Sequence, residues 1–360
     1  MEYDAIVLGA SYAGLAAAGE LAGRRVLLLD RKPIGTGQTS ACATLVETMA
    51  ATSTIESLRQ AHDTIQVYGL GRPICIDVSK HPFGVFDHAT FCACLRARGD
   101  AEFRQEDVRV VQGTEVVTNR GRYRAPVVIE ARGWRGAPRS SRHDHSGYNL
   151  GIEAPLPIGA RGLHLYIASK RWGAGYAWAF PAGEETRFGM CWFDRVGKLE
   201  VQLDDFLAGL GLQSGQRRHG GYFPWQQRPT TQDGRYVVGD AAGQCLALLG
   251  EGIRPAIYFG IAAGRYAVRV LDGGLAPDEG LMAYRRFATA HDAGFRLFRL
   301  LQRVLPALPP AIVALWLRLM TGEPQRSIAL DRYARMFDVA ALLASPWEAS
   351  VQSAAHIAGR

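Results

Sequence analysis

A mixed α/β fold in three parts is predicted: a Rossmann-like dinucleotide-binding domain, an antiparallel-sheet domain and a helical C-terminal region. Three features predict it. The chain opens as strand, glycine turn, helix and strand in "YDAIVLGASYAGLAAAGELAGRRVLLLD". A second strand-to-glycine element, "RYVVGDAAG", leads much later into a long helix of small residues. Between the two, from about residue 145 to 230, short aromatic-rich segments spaced by turns replace the strand–helix rhythm, as in antiparallel sheets.

In the opening element, Ile6 to Leu8 read as a buried strand and Ala13 to Leu21 as a closely packed helix. Val26 to Leu29 form a second strand that ends at Asp30. Gly9, Ser11 and Gly14 occupy the three glycine positions of the G-x-G-x-x-G fingerprint. The first makes the turn, the second lets backbone approach a pyrophosphate, and the third lets helix pack on strand. Serine at the second position is small enough to keep the approach. The helix start offers N–H groups to phosphate, and Asp30 stands where an acid accepts a ribose hydroxyl. This pattern alone does not separate NAD from FAD.

In "GDAAGQCLALLGEGIRPAIYFG", residues 239 to 260, glycines surround Asp240 and Glu251 in an otherwise apolar run. Asp240 follows a short strand, Tyr236 to Val238, where a carboxylate can bond a ribityl or ribose hydroxyl. The long helix begins near Gly252, and its N-terminal dipole favours an anion. Two separated glycine elements suit a long cofactor, one for its diphosphate and one for its ring. "EDVRVVQGTEVVTNRGRYRAPVVIEARG" reads as strands with a turn at Asn119 to Gly121, with backbone near Val110 and Val111 open to an adenine. The expected boundaries are 1–75, 95–140 and 230–290 for the dinucleotide domain, 76–94 and 141–229 for the sheet domain, and 291–360 for the helical region.

These residues carry a family resemblance. "GASYAG" with Asp30, "VVIEARGWRGAPR", "GYAWAFP" and "VVGDAAG…GEGI" resemble the FAD-dependent geranylgeranyl reductase family, within the p-hydroxybenzoate hydroxylase-like flavoproteins. The resemblance spans about residues 1 to 290 and implies FAD contacts at Gly9, Ser11, Gly14, Asp30, Arg31, Asp240, Gly252 and Ile253. It implies reduction of carbon–carbon double bonds in an isoprenoid or other apolar substrate. Hydroxylases of the group carry Asp-Gly where this chain has Arg132-Gly133, which argues against direct NADPH use and leaves the donor open between NADPH and a protein. Flavin halogenases prefer Trp-x-Trp-x-Ile-Pro and a lysine after their glycine loop, unlike Tyr176, Trp178 and Phe180 here. A monooxygenase, a halogenase and a redox-silent cyclase or isomerase stand as alternatives.

Tyr176, Trp178, Phe180, Trp192 and Tyr222 are candidates to line an apolar pocket on one face of the antiparallel sheet, although most single aromatics in such a sheet belong to its core. Cys42, where reductase relatives often have Cys-Gly, is followed here by Ala43 and is the candidate for an activated or proton-donating group. Cys245, between the two presumed flavin segments, is its competitor. Each could equally be a small buried residue.

With 360 residues and 48% hydrophobic content the chain can bury one large core or two modest ones. The six cysteines lack metal-ligand spacing, the histidines (His143 and His145 among them) suggest neither metal nor triad, and no metal is expected. A net charge of +7 is dispersed among acids without a basic block, so nucleic acid is not an expected partner. An acid at position 2, leading directly into a strand, is unlike a secretory signal and places the protein in the cytoplasm. Residues 295 to 320 carry Arg296, Arg299, Arg303 and Arg318 among apolar residues, broken near Pro306 to Pro310. That stretch is a helical lid or dimer contact, or a surface able to rest on anionic lipid.

Overall fold

A computed structural model describes residues 3–136, 147–167, 173–193, 198–213, 215 and 217–345. The central sheet has six strands in the order Thr231–Gln232, Arg235–Val237, Val127–Glu130, Ala5–Leu8, Val26–Asp30 and Glu102–Gln105, parallel except for the first pair. Its inner strands are continuous apolar runs because both faces are covered. One face packs against the helices Tyr12–Glu20 and Ile253–Leu271, sharing a core with Val7 and Leu28. The other receives Ile6, Leu8, Leu27 and Leu29 against the three-stranded sheet Val108–Gln112, Glu115–Thr118 and Arg122–Arg124. The two helices meet backbone to backbone: a Cβ on Gly260 would collide with the Ala13 carbonyl, and one on Gly264 would stand 2.7 Å from that of Ala17.

The second large sheet has seven strands: His219–Pro224, Tyr148–Leu156, Glu185–Trp192, Gly175–Ala182, Leu163–Tyr166, Thr64–Tyr68 and Ile74–Asp77. Strand alternation sends one set of side chains to each face. Phe188, Met190 and Trp192 pack beneath the helix Leu199–Gly209 with Leu203 and Phe206. Tyr176, Trp178, Phe180, Cys191 and Phe193 gather on the opposite face.

Two expected boundaries are corrected. Thr64–Tyr68, expected in the dinucleotide domain, pairs in parallel with Leu163–Tyr166 and belongs to the large sheet. The helix His88–Arg96, expected largely in the sheet domain, instead buries Phe91, Cys92 and Leu95 in the core shared with the six-stranded sheet. Pairing between distant strands decides such membership, and a local pattern does not report it. The C-terminal helices are Pro277–Thr289, Asp292–Val304, Pro310–Thr321, Gln325–Arg335 and Val339–Ala344, the second and third separated by the proline-rich turn expected there. His143, His145 and the end of "VVIEARGWRGAPR" lie outside the described residues.

Candidate functional site

A cavity of about 1960 Å³ runs from the first glycine turn, along the inner face of the seven-stranded sheet, to the C-terminal helices. Drug-sized pockets occupy roughly 300–1,000 Å³, so this space accommodates more than one small molecule.

At its polar end, Gly9 has φ +105°, and a Cβ there would collide with the Ala131 carbonyl; a Cβ on Gly14 would collide with the carbonyl of Gly9. The turn is tied by Asp30, whose carboxylate accepts from the N–H of Ala10 at 2.8 Å and of Lys32 at 3.1 Å. Ser11 precedes the helix without a side-chain cap, leaving the first helical N–H groups for another acceptor. Asp30 and Arg31 line this end with Val108 and Trp134. Arg132, in place of the hydroxylases' acid, is held by the buried Glu130, with Nε 2.9 Å from Oε1.

The second glycine element faces the first across the cavity. Gly239 and Gly243 have φ of +65° and +69° and fold the backbone around Asp240. The Asp240 carboxylate lines the cavity with no hydrogen-bond partner among the described residues, and burial pushes its pKa up to about 7. Such an orphaned carboxylate fits a ligand hydroxyl. Gly252 stands beside it, where a Cβ would lie 3.2 Å from Oδ1, and begins the helix Ile253–Leu271 without a side-chain cap. The pair of turns therefore provides free N–H groups, one unpaired acid and room for close backbone approach, which together fit a dinucleotide.

Asp240 also makes a prediction. A carboxyl with a raised pKa binds a proton more tightly when folded than when unfolded, so its stabilising contribution is full below the ordinary carboxylate range near 4 and lost as pH rises toward about 7. Chemical denaturation of the ligand-free protein at pH 4.5–8, as an experimental range of roughly this width, should show this decline. Asp240→Asn should remove that component of the slope.

The loop between Asp240 and the helix is locked from behind. Arg254 is fully buried; its Nε donates to Glu251 Oε1 at 2.8 Å and its Nη1 to the carbonyls of Tyr333 and Ala334 at 2.8 and 3.0 Å. The Tyr333 hydroxyl donates to Glu251 Oε2 at 2.6 Å. The helix Gln325–Arg335 is thus fastened directly to the glycine loop.

The apolar end is organised by the sheet register. His219 pairs with Glu153, Glu153 with Gly189, and Gly189 with Trp178, giving one row across the strands. A Cβ on Gly189 would overlap the Trp178 ring, so the indole lies across the glycine and its Nε1 donates to Glu153 Oε2 at 3.0 Å. Tyr176 and Phe180 extend the same face, and the helices Asp292–Val304 and Pro310–Thr321 close the far wall through Phe298, Leu301, Val313 and Leu317.

Ser11, Asp30, Arg31, Asp240, Gly252 and Ile253 line the cavity, as do Tyr176, Trp178, Phe180 and Tyr222. Gly9 and Gly14 shape its edge. Three expected site residues stand elsewhere. Val110 is 52% exposed on its strand and off the lining, whereas Val108 is on it. Trp192 points to the other face, since one residue of register separates it from the lining Cys191. Cys42 is sealed at 0% exposure in a left-handed conformation, φ 56°, with its Sγ donating to the Ser40 carbonyl at 3.3 Å. Burial pushes its thiol up to about 12, against the opposing charge of Arg187, so it is neither activated nor open to the cavity. The polar row of Glu153 and His219 escaped the sequence reading; the signal was the alternation that places both on the Trp178 face.

No family model matches the chain. A geranylgeranyl bacteriochlorophyll reductase-like protein from Thermoplasma acidophilum superposes with a TM-score of 0.79 at 19% identity, over 99% of both chains. The fold is that of FAD-dependent reductases and hydroxylases. The flavin-dependent brominase Bmp2 shares it, with a TM-score of 0.70 at 15% identity over 99% of both chains. Among curated proteins, the digeranylgeranylglycerophospholipid reductase of Methanocaldococcus jannaschii is 30% identical over 133 residues, only 34% of each chain. The geranylgeranyl diphosphate reductase of Rhodobacter capsulatus is 26% identical over 346 residues, 84% of each chain.

Proposed function

We propose that the chain is a cytoplasmic FAD-dependent oxidoreductase that reduces carbon–carbon double bonds of an isoprenoid or similarly apolar chain. One observation carries the reading: the cavity that begins between two glycine turns suited to a dinucleotide continues without a wall into an aromatic chamber. Gly9, Ser11 and Gly14 would hold the diphosphate, Asp30 and Arg31 the adenosine side, and Asp240, Gly252 and Ile253 the ribityl and ring end. Bound FAD would supply hydride chemistry, with electrons from NADPH or a protein donor. Tyr176, Trp178, Phe180 and Tyr222 would orient the chain and exclude water. Among the described lining residues the only lysine is Lys32, at the turn end with its Nζ 3.0 Å from the Gly37 carbonyl, which favours reduction over halogenation.

The chamber's mouth adds a lipid-facing element to the proposal. Leu297, Trp316 and Ile328 both line the cavity and are exposed, and Leu315 and Leu319 beside them are 59% and 63% exposed. Residues 292–335 carry seven arginines against three acids. Among the described residues no helix is long and apolar enough to cross a membrane. The mouth is read as resting on an anionic bilayer, from which a prenyl chain enters. Flotation with vesicles containing anionic lipid should capture the protein, and Leu315→Ser with Leu319→Ser should weaken capture about tenfold. Equal capture of the variant would contradict this placement.

The cofactor assignment has its own test. Purified protein should show the absorption of oxidised flavin, release FAD on denaturation and change its flavin spectrum when geranylgeraniol is added. Purified protein that neither retains nor rebinds FAD would contradict the assignment.

A further inference from the structure

With Cys42 sealed, the proposed reduction lacks a proton donor, and three other protonated side chains facing the apolar chamber, Cys191, Cys245 and Tyr176, are poor ones. Burial pushes the Cys191 thiol up to about 12 and holds the Cys245 thiol well above its ordinary value. The Tyr176 hydroxyl is committed to the Leu249 carbonyl at 2.7 Å. Imidazole is the side chain that changes charge near neutral pH. One lies on the chamber floor: His219, on the strand His219–Pro224, lining the cavity.

Its placement is specific. Glu153 stands opposite it on the neighbouring strand, and Nε2 of His219 lies 2.9 Å from Glu153 Oε1. Both atoms are buried and neither forms a well-aligned hydrogen bond among the described residues, so the contact is one of charge, attractive when the ring carries a proton. Glu153 itself is 2% exposed and fixed through Oε2 by Trp178. The imidazole Nδ1 has no partner among the described residues. Beside the pair, Gly220 and Gly221 leave the floor low: a Cβ on the first would meet the Gly151 carbonyl, and one on the second would stand 3.1 Å from Thr39 Cβ.

We infer that His219 is the proton-donating residue of the site and that Glu153 is its positioning residue. The inference rests on the proposed reductase reading. In the reaction the π bond of the alkene breaks. Bound reduced FAD would supply a hydride to one carbon and be oxidised by two electrons, and His219 would give the proton on Nδ1 of its imidazolium to the other carbon. The neutral ring, still directed by Glu153 at Nε2, regains a proton from water. A buried carboxylate beside a ring on the floor of an apolar chamber is explained by this role, whereas sheet packing alone would favour two apolar residues.

The test compares wild type, His219→Ala, Glu153→Gln and Glu153→Asp as FAD-loaded proteins, photoreduced without oxygen and mixed with geranylgeraniol. His219→Ala should retain its flavin spectrum, lose about a hundredfold in the rate of alkene reduction and regain rate when imidazole is added. Glu153→Gln should lower kcat with little change in KM, and Glu153→Asp should recover part of the loss. Independently of turnover, geranylgeraniol should protect His219 of the flavin-free protein from acylation by diethyl pyrocarbonate, read by mass spectrometry. Wild-type rate in His219→Ala, or a loss without imidazole rescue and without protection, would overturn the inference while leaving the reductase reading intact. A wild type that reduces no prenyl chain under these conditions would overturn both.

Discussion

Arg254→Ala is expected to destabilise the protein by about 3–5 kcal/mol, the usual consequence of removing one partner from a buried charge pair. Arg254 is 0% exposed, and its guanidinium satisfies Glu251 and two carbonyls at the end of the helix Gln325–Arg335. Removing it leaves the largely covered Glu251 carboxylate, 9% exposed, without its cationic partner at the head of the helix that begins beside Gly252, and frees two carbonyls. Urea unfolding of the FAD-loaded protein measures the loss. Glu251→Gln should cost less, because its amide oxygen still accepts from Arg254, and the double variant should fall short of the sum of the two single effects. A second consequence separates this lock from ordinary packing: the helix it fastens also walls the chamber through Ile328 and Tyr333. Limited proteolysis of Arg254→Ala should therefore cut first within 325–345. Near-wild-type stability would show that the network does not hold the C-terminal region to the glycine loop.

Gly9→Ala is the second large effect expected. The backbone at Gly9 has φ +105°, a conformation costing other residues roughly 1–3 kcal/mol, and the added Cβ would collide with the Ala131 carbonyl. Relief requires the turn to move away from the strand Val127–Glu130, taking the start of the helix Tyr12–Glu20 with it. FAD affinity should fall by roughly ten- to a hundredfold, since 1.4 kcal/mol is tenfold, as measured by flavin titration of the flavin-free protein. Gly23→Ala is the control. Gly23 has φ +80° but nothing within 4 Å of a Cβ, so it should lose some stability and leave FAD affinity unchanged. Similar losses of affinity in both variants would indicate general destabilisation rather than a specific turn.

The parts of this architecture that depend on local pattern were legible in the sequence. The strand, turn and helix around Gly9 are contiguous, and each residue's role follows from its neighbours. The same holds for Asp240 and Gly252, whose glycines announced a close backbone approach, and for the proline break between the C-terminal helices. What depended on register was not legible. Thr64–Tyr68 joins the large sheet through a parallel partner nearly a hundred residues away. Trp192 and Cys191 are adjacent in sequence, yet only pairing with Tyr176 and the cover of Leu203 and Phe206 decide which faces the cavity. Cys42 illustrates a different limit: its loop is polar and small, as a cofactor loop should be, but the hydroxyl of Tyr12 and the carbonyl of Ser40 close over the thiol. Arg254 was hidden because an arginine in a small-residue helix looks like a solvent-facing one until the C-terminal helix is laid against it.

The most direct measurement of the central claim is a single anaerobic turnover. The FAD-loaded protein is photoreduced, mixed with geranylgeraniol or geranylgeranyl diphosphate, and followed by flavin absorption while the products are weighed. Flavin returning to its oxidised spectrum without oxygen, with product heavier by two hydrogens per alkene reduced, is the predicted result. Flavin that stays reduced until oxygen enters, with product heavier by one oxygen atom, would contradict it and make the chain a monooxygenase.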